Sequence, residues 1–133
     1  MDIVHESDNG FEEAQALGPY QIASLIAPDQ EGQFTAYRVR IESGQVTSES
    51  YHKLAEEIYY VIEGEGLAIL NGEIRPLQTG DFLRLPPGTR HRFETGAEAL
   101  VMLDIHSPGS RPDRDVYFTD DRPEGFGPID TDD

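Results

Sequence analysis

Three residues of this chain, His52, Glu57 and His91, have the types and spacing to share a metal ion, with Ser50 as a weaker fourth candidate. Ser50 and His52 are two apart, so an extended backbone aims both side chains the same way. From Glu57 onward, strand alternation places Glu57, Tyr59 and Val61 on one face and Ile58, Tyr60 and Ile62 on the other. By the same rule His91, Phe93 and Thr95 share a face, opposite Arg90 and Arg92. A closed β scaffold would bring His52, Glu57 and His91 together from separate strands. Two imidazoles and a carboxylate are a recognised set for non-haem Fe(II) and also serve Mn, Ni, Cu or Zn, leaving positions open for water or substrate. A histidine or glutamate alone on a strand is most often a solvated surface group. The hydroxyl of Ser50 is a weak ligand for such metals.

The elements that must position these residues read as strands. Segments of strand length recur at 20–26, 34–41, 58–62, 67–70, 82–85, 91–95 and 99–105, most of them rich in Ile, Val, Leu, Tyr or Phe. In one of them Tyr37, Val39 and Ile41 face one way and Arg38 and Arg40 the other. Asn71-Gly72 between 67–70 and 73–77 is a strong two-residue hairpin signal, because both turn positions need positive φ. Gly64 and Gly66 mark a reversal after 58–62, and Pro86-Pro87-Gly88 ends another strand before His91. No segment carries a sustained helical stripe. Short strands separated by turn signals favour an all-β sandwich or barrel.

The 133 residues suit one domain with a single core. Without cysteine there is no disulfide or thiolate chemistry, and no apolar run approaches the roughly 20 residues of a membrane span. With 26 acidic and 10 basic residues the formal net charge is -16. Such a surface repels phosphate backbones and anionic lipid, so neither nucleic acid nor membrane is an expected partner. Lys53 is the single lysine; a salt-adapted host and a merely solubilising acidic surface are equally good accounts of that bias. The first residues, up to about Leu17, read as a loose acidic arm without the charged-then-apolar order of a secretory signal, and a cytoplasmic protein is expected. After Ser107 the chain is dense in Pro, Gly and Asp, with one apolar patch at 116–118.

Gly44, Ser50, His52, Glu57 and Gly64, followed by Gly80, Pro86, Gly88, His91 and Thr95, stand at the offsets of two motifs, and over roughly 34–108 the chain resembles the cupin superfamily. The resemblance implies an all-β fold: a single cupin jelly-roll of antiparallel strands, closed as a barrel or packed as a sandwich. With the acidic ends read from composition, the expected division is an arm over 1–19, the cupin domain over 20–118, and an acidic flexible tail over 119–133. Family members hold one divalent metal with three histidines and a glutamate. Carried over, His52, Glu57 and His91 become ligands of one divalent ion, Fe, Mn, Ni or Zn. Ser50 replaces the family's first histidine, and Thr95 its final asparagine, a position that supports a turn. Glu57 is preferred to Glu56 because it leaves six residues before Gly64. Glu49 and His106 are lesser candidates to replace the missing imidazole, and His106, just ahead of Ser107-Pro108, reads as solvated.

The implied function is a small metal-dependent enzyme, of dioxygenase or isomerase/lyase type, acting on a small oxygenated organic molecule, with Tyr59 as a weak acid–base candidate. The alternative is a non-enzymatic module that binds a sugar or organic acid through a weakened or absent metal site. Tyr37, Tyr59 and Phe93 read as core or pocket lining, and Arg38 and Arg40 as a solvated or subunit-facing row. The outward strip of Ile58, Tyr60 and Ile62 needs cover, and a homodimer is expected.

Overall fold

A computed structural model of the chain describes residues 3–7 and 14–126. Among them are eleven strands and no α-helix: β1 Gln15–Leu17, β2 Tyr20–Ser24, β3 Thr35–Ile41, β4 Ser50–Tyr51, β5 Glu56–Glu63, β6 Glu65–Leu70, β7 Glu73–Gln78, β8 Phe82–Leu85, β9 His91–Glu94, β10 Leu100–Ser107 and β11 Tyr117–Phe118. They form two antiparallel sheets, one ordered β1-β2-β3-β10-β5-β8 and the other β11-β4-β9-β6-β7. The sheets pack as a sandwich, the open form of the expected jelly roll.

The expected alternation holds strand by strand. In β3 Tyr37, Val39 and Ile41 are buried while Arg38 and Arg40 are only partly so. In β5 Glu57, Tyr59 and Val61 point inward, and Tyr60 and Ile62 are exposed. β10 lies between β3 and β5 and departs from strict alternation at its start, burying Leu100, Val101 and Met102 in succession where its register with β5 shifts between Val101 and Met102. Side chains from both sheets, among them Val39, Ile41, Val61, Ala68, Phe93 and Met102, close one core. Burying each of the larger ones is worth about 1.5–3 kcal/mol.

The turn chemistry is also as the sequence indicates. Asn71 and Gly72 take φ values of 51° and 83° and join β6 to β7, a two-residue turn whose twist suits the strands it links. Thr95 accepts a hydrogen bond from the Gln45 amide at 2.9 Å and donates to the Glu42 carbonyl, so the hydroxyl supports the turn from the position where asparagine was expected.

Two segments differ from expectation. The arm contributes a strand: β1 pairs with β2, and Leu17 is 1% exposed. Hydrophobic burial of that one residue outweighs a weak strand pattern. Toward the other end, Phe126 packs edge-on against Tyr20 and Phe118, with ring centroids 6.4 and 5.1 Å away. The expected tail therefore folds back onto the sandwich at least as far as Phe126. The rest of the expected tail, and residues 1–2 and 8–13 of the arm, lie outside the described residues.

Gly64 has φ of 94°, and a Cβ there would lie 1.9 Å from the Ala99 carbonyl oxygen. Gly64→Ala is expected to lose more than about 2 kcal/mol of stability in urea unfolding. Gly96→Ala, at a position with open space, is expected to stay within about 0.5 kcal/mol of the parent.

Candidate metal centre

Glu57 stands on β5 in the six-stranded sheet, turned inward by the alternation that also buries Tyr59 and Val61. Across the β5–β10 ladder its direct partner is His106, just as Asp104 is the partner of Tyr59. His91 begins β9 in the facing sheet, and Ser50 of β4 pairs with it. His52 follows β4 directly. Each ligand candidate thus comes from its own strand or strand end, and the sandwich brings them together.

The geometry centres on one carboxylate. Glu57 Oε1 lies 3.2 Å from Nε2 of both His52 and His91, and Oε2 lies 2.8 Å from Nε2 of His106. The four residues are between 1% and 6% exposed. The far side of two rings is fixed by backbone: His52 Nδ1 donates to the Asp115 carbonyl at 2.5 Å and His91 Nδ1 to the Thr89 carbonyl at 3.1 Å. A carbonyl only accepts, so both rings carry a proton on Nδ1 and, in their neutral form, turn Nε2 lone pairs toward Glu57. Glu57 Oε1 has no hydrogen-bond partner although it is buried. Lone pairs and an anion facing one another at this range call for a cation between them, and the residues fit a divalent ion. Two overlapping groups have ligand atoms within 4.8 Å of one another: His52, Glu57 and His91, and Glu57, Asp104 and His106. The chain therefore carries His/Glu groups able to hold a metal ion.

The electrostatics are strained in the same sense. Burial opposes charge on Glu57, yet His106, His52 and His91 outweigh it and hold the carboxyl well below the usual carboxylate range. Burial likewise disfavours a charged His52, but Glu57 and the Asp115 carbonyl raise its pKa. For His91 burial prevails, aided by the neighbouring imidazoles, and its pKa falls despite Glu57. Burial and then the charge of Glu57 push the Asp104 carboxyl well above its ordinary value. Burial and then Asp104 and Glu57 do the same to the Tyr59 hydroxyl.

His52, Glu57 and His91 converge as the sequence indicates. Ser50 lies in the wall of the same cavity, 6% exposed. Glu49 is engaged elsewhere, accepting a hydrogen bond from the Thr119 hydroxyl at 2.6 Å. His106 corrects the expectation of a solvated histidine: it is 5% exposed and the nearest imidazole to Glu57. The signal was there in the alternation of Met102, Asp104 and His106. What it lacked was which strand lies beside Glu57. Asp104 was missed in the same way. The cavity, about 60 Å³, is also lined by Ile22, Tyr37, Tyr59, Arg111, Val116 and Phe126.

Comparison with known proteins places this geometry. The cupin domain family matches residues 37–106, more than half of the chain. SchB of Streptomyces halstedii is 31% identical over 101 residues, covering 74% of this chain and 73% of its own. Quercetin 2,3-dioxygenase of Bacillus subtilis is 28% identical, covering 67% of this chain but only 27% of that protein. Among solved structures, Streptomyces Pac13 with uridine superposes with a TM-score of 0.68 at 23% identity, covering 84% of this chain and 88% of that one. KdgF from Halomonas gives 0.65 at 22% identity, with 84% and 96% covered. At these identities the structural likeness speaks for the fold alone. The chain belongs to the cupin family.

Asp104 yields a test of the buried polar centre. In the unfolded chain it ionises at about 4, whereas burial and Glu57 raise its pKa well above that in the folded protein. The folded state then binds the extra proton, so stability falls as pH rises above that value until the raised pKa is passed. In metal-free protein Asp104→Asn is expected to remove this loss. Its advantage over the parent should grow from pH 4 to pH 8 by about 1 kcal/mol or more, read from urea unfolding at each pH. An advantage that does not change with pH would contradict a protonated Asp104.

Proposed function

We propose that this cupin is a small metal-dependent enzyme, of dioxygenase or isomerase/lyase type, whose substrate is a small oxygenated organic molecule. His52, Glu57 and His91 are its ligands, as the two motifs indicate, and His106 supplies the third imidazole. The observation that carries this reading is the buried Glu57 carboxylate with three Nε2 atoms within 3.2 Å and one oxygen without a hydrogen bond. A divalent ion held there, Fe, Mn, Ni or Zn, would supply a Lewis acid for substrate oxygens or a site for dioxygen.

The chain's own groups divide the remaining work. Tyr59, with its pKa raised, keeps its proton at neutral pH and acts as a hydrogen-bond donor in the cavity rather than as a base. Asp104, whose pKa burial and Glu57 raise, is the better candidate for a proton source. Ile22, Val39, Val116 and Phe126 give the cavity apolar walls that exclude water. The likeness to quercetin 2,3-dioxygenase supports an oxygen-rich small molecule as substrate. The case for a weakened, non-enzymatic site rested on Ser50 leaving only two imidazoles, and His106 removes that premise.

We further propose a homodimer packed through the outer face of the six-stranded sheet. Tyr60 and Phe82 are paired across β5 and β8 and are 45% and 60% exposed, beside Ile62 at 37%.

Metal content tests the first reading. Protein purified without added metal and without chelator is expected to carry near-stoichiometric Fe, Mn, Ni or Zn by elemental analysis. His91→Ala should lose it, and His106→Ala should bind at least about ten-fold more weakly, since removing a ligand costs no less than removing a ligand's support. Absence of metal even after reconstitution would sink the metalloenzyme. For the dimer, Tyr60→Glu should halve the mass measured by light scattering; an unchanged mass would point to another interface or a monomer.

A further inference from the structure

His52 is held from a part of the chain beyond the residues matched by the family. The loop that carries His52 into β5 presents the backbone amides of Lys53, Leu54 and Ala55 to a single side chain. Asp115 Oδ1 accepts from Lys53 at 2.8 Å and Leu54 at 3.2 Å, and Oδ2 from Leu54 at 3.1 Å and Ala55 at 3.0 Å. A carboxylate that takes up three successive amides fixes the course of the loop, because hydrogen bonds to a charged acceptor are about twice as strong as neutral ones. The carbonyl of the same residue accepts the Nδ1 proton of His52. The residue that reaches both groups has a left-handed backbone, with φ of 58°. Asp and Asn are among the few side chains that tolerate this conformation.

Asp115 is itself anchored. Ser110, 1% exposed, donates its hydroxyl to the Arg114 carbonyl at 2.9 Å and its amide to Thr35 Oγ1 at 3.0 Å. The Ser110 carbonyl accepts from the Tyr37 hydroxyl at 2.6 Å. Arg111 and Arg114 both bond Glu31, at 2.8 and 2.6 Å. The segment is thus tied to β3 and to the loop ahead of it, and from that fixed base it reaches over to His52.

We propose that Asp115 is the positioning residue of the metal centre: it fixes the loop with its carboxylate and the tautomer and orientation of His52 with its carbonyl. The metal readouts below rest on the metalloenzyme reading; the imidazole readout does not. Three variants separate the two contacts. Asp115→Ala removes the carboxylate and disfavours the left-handed backbone. Asp115→Gly keeps that backbone and the carbonyl but removes the carboxylate, and Asp115→Asn keeps an acceptor and the left-handed preference.

The experiment measures Zn²⁺ affinity, the visible spectrum of the Co²⁺-loaded protein, and the His52 ring-nitrogen signals of ¹⁵N-labelled, metal-free protein at alkaline pH. For Asp115→Ala we expect Zn²⁺ binding about ten- to hundred-fold weaker, an altered Co²⁺ spectrum, and loss of the Nδ1-protonated signature of His52. Asp115→Asn should restore most of all three. Thr95→Ala, which cuts the Gln45 and Glu42 hydrogen bonds outside the site, serves as a control for general destabilisation. The proposal is overturned if folded Asp115→Ala keeps all three readouts, or if its loss is no greater than that of Thr95→Ala. If Asp115→Ala does not fold, Asp115→Gly decides: weaker Zn²⁺ binding with the Nδ1 signature kept by the surviving carbonyl would support the proposal, and unchanged Zn²⁺ affinity or loss of that signature would overturn it. Should the parent bind neither Zn²⁺ nor Co²⁺, the metalloenzyme fails while the His52 signature still judges Asp115.

Discussion

A carboxylate buried without solvent is the constraint around which this cupin is organised. Glu57 is 1% exposed on an inward face otherwise made of Tyr59 and Val61, where an unpaired charge would cost several kcal/mol. It persists because the two sheets deliver imidazoles to it from three directions. The consequence runs outward. Two of the rings must be held with Nε2 inward, which commits the carbonyls of Asp115 and Thr89. Those commitments in turn require a fixed loop after β4, a fixed turn before β9 and an ordered segment after β10.

The same constraint explains the protonation pattern. One low-dielectric chamber does not hold two carboxylates in the charged state a few ångströms apart. Glu57, surrounded by imidazoles, takes the charge, and Asp104 is pushed the other way. Two acids of one chemistry thereby acquire two roles, an anion that can face a metal and a neutral acid that can give up a proton. Neighbouring Tyr59 is kept neutral by the same field.

The apolar and polar surfaces are distributed to match. Inside, Val39, Ile41, Val61, Phe93 and Met102 make the core, and the site opens at one end of it, where Ser110, Arg111 and Val116 come across from the C-terminal segment. Outside, the six-stranded sheet leaves Tyr60, Ile62 and Phe82 uncovered, on a chain whose net charge of -16 otherwise favours solvation.

Much of this was legible in the sequence, for a local reason. Strand alternation assigns an inward face to Glu57, Tyr59 and Val61 and to His91 and Phe93, and Asn71-Gly72 marks a turn from the φ values it must adopt; each depends only on near neighbours. Motif spacing added His52, Glu57 and His91 as members of one site. The remaining members depend on pairing between distant parts of the chain. His106 reads as a strand-end histidine until β10 is set beside β5, where it faces Glu57 directly. Asp115 reads as one acid in an acidic segment until that segment crosses to the loop after His52, 60 to 63 residues away in sequence. Sequence by itself settled which residues face inward, because that is a property of the strand. The tertiary structure alone decided that His106, Asp104 and Asp115 join the three motif residues, because strand order is set by the burial of the whole core and not by any one strand.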